Sequence, residues 1–141
     1  MDEYLLAQIK RVAQVDHEIL SSACESLRRM KEGVYSAEAA KEFTNFNRFI
    51  TDRIVRHFAY EEEHLFPALL DDNPTEKTTQ IIAELRQEHT LLLKRLTLWS
   101  ERVEQRTIVN FTGHLRAGMM DFLSDLEKHA AKEEQLLESH A

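Results

Sequence analysis

A chain of 141 residues with 3 Gly, 2 Pro and 1 Cys has the length of one domain and too little turn material for a sheet. A formal charge of -7 and a pI of ≈ 5.5 disfavour nucleic acid and anionic membrane surfaces as partners, and the lone Cys24 leaves no internal disulfide. No apolar run reaches the roughly 18 residues that span a bilayer, and Met1-Asp2-Glu3-Tyr4 lacks the regions of a signal peptide, so a cytoplasmic location is expected.

Three breaks predict four helices, over about 2–31, 37–71, 74–105 and 108–138, within a single domain spanning 1–141. The first places Leu6, Ile9, Ala13, Leu20 and Leu27 at three- and four-residue spacing, the repeat of one helix face. Gly33 is expected to end it, and Ser36 to cap the second. That helix carries Phe43, Phe46, Ile50, Ile54 and His57, and Pro67 is expected to kink or end it near Glu63 to Phe66. Asn73-Pro74 reads as a cap followed by proline at the first helical position. The third helix then shows Ile82, Leu85, His89, Leu92 and Leu96. Thr107 is the candidate cap of the fourth, with Leu115, Phe122, Leu126 and His129 on its stripe. Short connections between long helices predict an all-α, up-down-up-down four-helix bundle.

One pattern occurs twice. His17 precedes His57-x3-Glu61 by 40 residues, and His89 precedes His129-x3-Glu133 by the same 40, with an offset of 72 between the copies. Apolar positions share this offset: Ile50 and Ile54 match Phe122 and Leu126, Leu20 matches Leu92, and Leu65 matches Leu137. Two helical hairpins related by a pseudo-two-fold axis would each bring the same groups to the centre. On a helix, residues four apart share a face, so each His-x3-Glu pair continues its apolar stripe into the core. Two buried carboxylates without positive partners are very costly, and two metal cations are the natural compensation. Four imidazoles and two carboxylates suit iron, manganese or zinc, and the lack of a cysteine set argues against an iron–sulfur cluster. Two histidines per ion with two bridging carboxylates leave a coordination position open. A single His-x3-Glu on a helix is more often a surface pair or a core histidine; the duplication makes the pattern specific.

Other residues weigh less. Asp16 and Glu88 precede the lone histidines and Glu62 and Glu134 follow the bridging candidates, placed either to accept a ligand histidine's second N–H or simply to face solvent. Arg53 and Asp125 match across the repeat and are expected to form an inter-helix ion pair closing one end of the site. His64 reads as a bystander, His114 and His140 as surface residues, and Cys24 as a small buried hydrophobe. Tyr60 and Trp99 are the candidates for relaying electrons in an enzyme, although packing is the commoner role of such residues.

These motifs resemble the hemerythrin-like (HHE cation-binding) family. The matching stretches are Asp16-His17-Glu18, His57-Phe-Ala-Tyr-Glu61-Glu62 on to Leu65-Phe66-Pro67, Glu88-His89 and His129-Ala-Ala-Lys-Glu133-Glu134. The resemblance implies a four-helix bundle around two iron ions, oxo- or hydroxo-bridged when oxidised. Its histidine ligands would be His17, His57, His89 and His129, and its bridging carboxylates Glu61 and Glu133. Oxygen carriers of the family have a fifth histidine on the third helix, where this chain has Leu85 and Leu93, and they end in His-x4-Asp rather than His129-x3-Glu133. The four-His, two-Glu set is closer to di-iron proteins of iron-cluster repair and to iron and oxygen sensors. The leading expectation is a protein that binds O2 or NO for sensing, storage or scavenging. The alternative is a di-iron redox enzyme, or an iron donor in repair of iron–sulfur clusters under oxidative or nitrosative stress. A third class is an interaction module whose metal only staples the helices, and the sequence names no protein partner.

Overall fold

The predicted stripes fold as helices. The computed structural model describes residues 3–29, 33–34, 37–71, 73–105, 110–111 and 113–139. Helix α1 (Glu3–Arg28) is followed by α2 (Ala37–Tyr60), a π-helical turn (Glu61–Leu65), α3 (Phe66–Asp71), α4 (Glu76–Gln105) and α5 (Gly113–Glu138). The segment from α2 to α3 acts as one long member, so the architecture is the all-α four-helix bundle that the sequence predicts. Each long member packs on two neighbours, α1 on α2 and α5, and α4 on α2 and α5. Contacts at two levels fix the directions: Glu62 meets Arg86 and Thr51 meets Ser100, Arg95 meets Asp125 and Glu88 meets Lys132, Arg28 meets Glu127 and His17 meets Glu134, and Leu20 clusters with Ile50 and Ile54 while Ala13 clusters with Phe66, so every neighbouring pair is antiparallel.

The boundaries depart from expectation where local chemistry overrides it. α1 ends at Arg28, before Gly33, and α5 starts at Gly113 rather than near 108. Gly33–Val34 instead pair with Asn110–Phe111 in a two-residue antiparallel ladder, which ties the α1–α2 connection to the α4–α5 connection. Ser36 and Thr107 lie outside the described residues. Asn73 is not the cap of α4. It takes a left-handed backbone at φ 48°, a conformation that asparagine tolerates better than most residues. Thr75 caps the helix, its Oγ1 accepting from Thr78 N–H at 3.1 Å.

Pro67 neither ends the second helix nor leaves it purely α. Proline offers no N–H, and its ring would clash with the carbonyl four residues back. The preceding turn widens, the Phe66 N–H reaching five residues back to the Glu61 carbonyl, and the helix resumes over Phe66–Asp71. That widened turn lets the consecutive residues Leu65 and Phe66 both bury.

The interior has two apolar clusters. One contains Leu20, Cys24, Ile50, Ile54, Phe58 and Leu123, and the other Leu6, Ala13, Phe66, Leu69, Ile82 and Leu85. In α1, Ala13 belongs to one cluster and Leu20 to the other, with His17 between them; Leu85, His89 and Leu92 repeat this on α4. A polar layer is therefore held between two dry ones. At the first cluster's end, Trp99 Nε1 donates to buried Asn47 Oδ1 at 2.6 Å, tying α4 to α2, so Trp99 has a structural task. Removal of the α4 cap should be felt throughout. Thr75→Ala is expected to lower unfolding free energy by about 1 kcal/mol in chemical denaturation, whereas an unchanged midpoint would show that Thr75 does not cap.

Candidate metal centre

All six residues singled out by the repeat meet in the polar layer. Glu61 and Glu133 are 0% and 1% exposed, His57, His89 and His129 are buried, and His17 is 10% exposed. The ligand atoms fall into two groups, each with its atoms within 4.8 Å of one another: His17, His57, Glu61 and Glu133, and His89, His129, Glu61 and Glu133. Both carboxylates belong to both groups. The pseudo-two-fold of the sequence thus becomes a two-fold arrangement of side chains around a shared pair of glutamates.

Each imidazole turns Nε2 inward. His17 Nε2 lies 2.9 Å from Glu133 and 3.8 Å from Glu61, and His57 Nε2 lies 3.3 Å from Glu61 and 3.8 Å from Glu133. His89 Nε2 is 3.1 Å from Glu61 and 3.3 Å from Glu133, while His129 Nε2 is in close contact with Glu133. Two ligands each about 2.1 Å from one cation, at angles of about 90–110°, stand roughly 3.0–3.4 Å apart. The nitrogen–oxygen spacings bracket that range.

The other ring nitrogen settles the tautomer. His17 Nδ1 donates to Glu134 at 2.7 Å, His57 Nδ1 to Asp16 at 3.2 Å, His89 Nδ1 to Glu62 at 2.9 Å and His129 Nδ1 to Glu88 at 2.9 Å. An ionised carboxylate only accepts, so Nδ1 carries a hydrogen, and when the ring is neutral its Nε2 lone pair faces the centre. The four pairs close a ring around the bundle: α1 holds the histidine of α2, the π turn holds that of α4, α4 that of α5, and α5 that of α1. Asp16, Glu62, Glu88 and Glu134 are therefore orienting residues, not idle surface charges. The expected Arg53–Asp125 pair does not form. Arg53 reaches Asp16 at 3.5 Å and Asp125 takes Arg95 at 2.6 Å, because each lies nearest the outward cation or acid of its own helix pair.

Electrostatics fit a positive ion at the centre. His57 Nε2, His129 Nε2 and Glu61 Oε2 are buried with no hydrogen-bond partner. Burial, then the facing Glu133, pushes the Glu61 carboxyl well above its ordinary value. Burial alone would lower the pKa of His17 and His129, yet contact with Glu133, and then with Glu134 or Glu88, raises both. Burial works against ionised Glu88 as well, but Lys132 and then His129 hold its carboxyl below the usual range.

Packing completes the site in ways the motifs did not announce. His89 is stacked between Phe58, at 4.1 Å, and Phe66, at 5.5 Å between ring centroids. A cavity of about 210 Å³ runs along His17, His57 and His129, walled by Leu20, Cys24, Phe58 and Leu126. Burial pushes the Cys24 thiol up to about 11, which suits an inert wall. His64 is exposed beside Tyr60, outside the centre, while the side chain of His114 and all of His140 lie outside the described residues.

Proton and cation compete for the same atoms, which sets a direction. The raised values of His17, His129 and Glu61 mean that cation binding expels protons near neutrality, and that affinity falls as pH drops through the upper histidine range. Calorimetric titration with a divalent metal at pH 7 is expected to give a heat that varies with the ionisation enthalpy of the buffer; a buffer-independent heat would contradict this.

Comparison with known proteins agrees with the geometry. No curated protein and no solved structure matches the chain. The family model described as the hemerythrin HHE cation-binding domain matches residues 11–141, which include all six inward-facing residues and the four that orient them. The chain belongs to the hemerythrin HHE cation-binding family.

Proposed function

We propose that the chain is a non-haem di-iron protein that binds O2 or NO, for sensing, storage or scavenging. The observation that carries this reading is the pair of two-histidine groups sharing Glu61 and Glu133, with an apolar cavity at their side. His17 and His57 would hold one ion, His89 and His129 the other, and the two glutamates would bridge them. Iron in such a set supplies an open coordination position and reducing electrons. The residues supply the rest. The outer ring holds four lone pairs inward, the bridging carboxylates cancel charge, and the dry walls favour a small uncharged ligand. A cavity of about 210 Å³ accommodates a diatomic molecule easily, since one water occupies about 30 Å³ in the liquid. A cytoplasmic site of action fits this reading, and no helix of the described residues is long and apolar enough to cross a membrane.

A second reading is a redox enzyme or an iron donor for repair of iron–sulfur clusters. It is favoured by the greater exposure of His17, at 10% against 2–3% for the other three histidines, which leaves one ion easier to reach. The test has two parts. Iron-loaded Glu61→Ala and Glu133→Ala proteins are each expected to retain at most one iron per chain by metal analysis; two irons in both would remove the bridging assignment. Anaerobic ferrous protein is expected to gain a visible absorption band when NO or O2 is admitted and to lose it when the gas is withdrawn. Irreversible oxidation with consumption of the gas would favour the second reading, and no spectral change would leave the metal a staple.

A further inference from the structure

The four corners of the outer ring are not alike. At three of them a cation stands behind the orienting carboxylate: Arg53 at 3.5 Å from Asp16, Arg86 at 3.0 Å from Glu62 and Lys132 at 2.8 Å from Glu88. Glu134, which holds His17, has no such cation among the described residues. The same corner is the most open, because His17 is the most exposed of the four histidines. Outside it lies a hollow lined by Glu18, Glu25 and Glu134, with Ser21 and His17 at its base. Ser21, His17 and Glu134 also line the inner cavity, where His57 and His129 are buried without a well-formed hydrogen bond at Nε2. Hollow and cavity therefore meet at the His17–Glu134 pair, between α1 and α5.

We propose that this corner is the entry route for divalent cations, and that Glu134 is the carboxylate that passes them inward. The proposal rests on the reading of the six central residues as metal ligands. An incoming hydrated ion meets Glu18 and Glu25, exchanges water for Glu134 as that side chain leaves His17, and moves on to His17 Nε2 and Glu133. Only ligand exchange is involved, with no change of oxidation state. Physical reasons single out this path. An acidic mouth concentrates cations and speeds their capture, an effect that salt screens over about 10 Å at 0.1 M. At the other corners an approaching cation first meets Arg53, Arg86 or Lys132, and at His89 the rings of Phe58 and Phe66 close the way. Arg28, which does not line the hollow, pairs with Glu25 and Glu127.

Stopped-flow uptake of Co2+ by the metal-free full chain tests the route, read by cobalt absorption and checked by metal analysis at the end point. The variant Glu18→Gln/Glu25→Gln alters residues that touch no histidine of the centre. It is expected to bind the same number of ions at the same affinity but roughly tenfold more slowly at low ionic strength, with the difference vanishing in high salt. Glu134→Gln is expected to be slowed as well. Its pseudo-symmetric counterpart, Glu62→Gln, is expected to load at the unaltered rate. Equal rates for the unaltered chain and the double variant, or equal slowing by Glu62→Gln and Glu134→Gln, would overturn the route alone. Failure of the unaltered chain to take up any cobalt would overturn the metal reading and the route with it.

Discussion

Two carboxylates share one buried polar layer of this bundle, and the remaining architecture answers to that fact. Glu61 and Glu133 are almost entirely withdrawn from water, with apolar clusters on both sides. Even after relaxation, burying such a charge costs several kcal/mol per ion, so a fold that buries two of them side by side must return positive charge to the same place. Among the described residues the side chains pointing in with them are four imidazoles, whose outer nitrogens are held by carboxylates so that each Nε2 faces the centre. Negative charge, lone pairs and a low dielectric are thus gathered without a fixed cation. That is the electrostatic signature of a place for metal ions, and the layer follows from the sequence repeat.

The outer ring shows why four separate helices are needed. A carboxylate on each member orients a histidine on the next, so no helix completes its own corner. Cation binding is in this way linked to the packing of all four members, because every inner nitrogen is aimed by a neighbour. The two-residue ladder between Gly33–Val34 and Asn110–Phe111 lies between the helix connections, away from this layer. Symmetry is broken in only a few places, through the cations behind three corners, the aromatic stack on His89 and the widened turn at Glu61. Those departures leave the His17–Glu134 corner more exposed than the others and without a cation behind its carboxylate among the described residues.

Much of this was legible in the residues. The helical spacing of Leu6, Ile9, Ala13 and Leu20, or of Leu85, His89, Leu92 and Leu96, fixes which face turns inward, because period and burial are the same information on a helix. The 72-residue offset brought His17, His57, Glu61, His89, His129 and Glu133 together on paper before they met in space. What stayed hidden was non-local or local in a different sense. Asp16, Glu62, Glu88 and Glu134 were named as candidates, but which histidine each would hold depends on the order of helices around the bundle. The same order separates Arg53 from Asp125. The sequence alone assigns Phe58 and Phe66 no role of their own, since nothing along the chain says that His89 lies between them. The Pro67 signal was seen, yet a kink and a widened turn answer the same missing N–H. Thr75 displaced Asn73 as the cap because α4 starts only at Glu76, after Asn73 has turned the chain through a left-handed conformation, which leaves Thr75 Oγ1 to accept from the Thr78 N–H.

The most direct test of the account is anomalous diffraction from iron-loaded crystals, collected on both sides of the iron absorption edge. It predicts two iron peaks about 3.5–4 Å apart between Glu61 and Glu133, one against His17 and His57 and the other against His89 and His129. A single peak, or peaks away from the shared carboxylates, would contradict it.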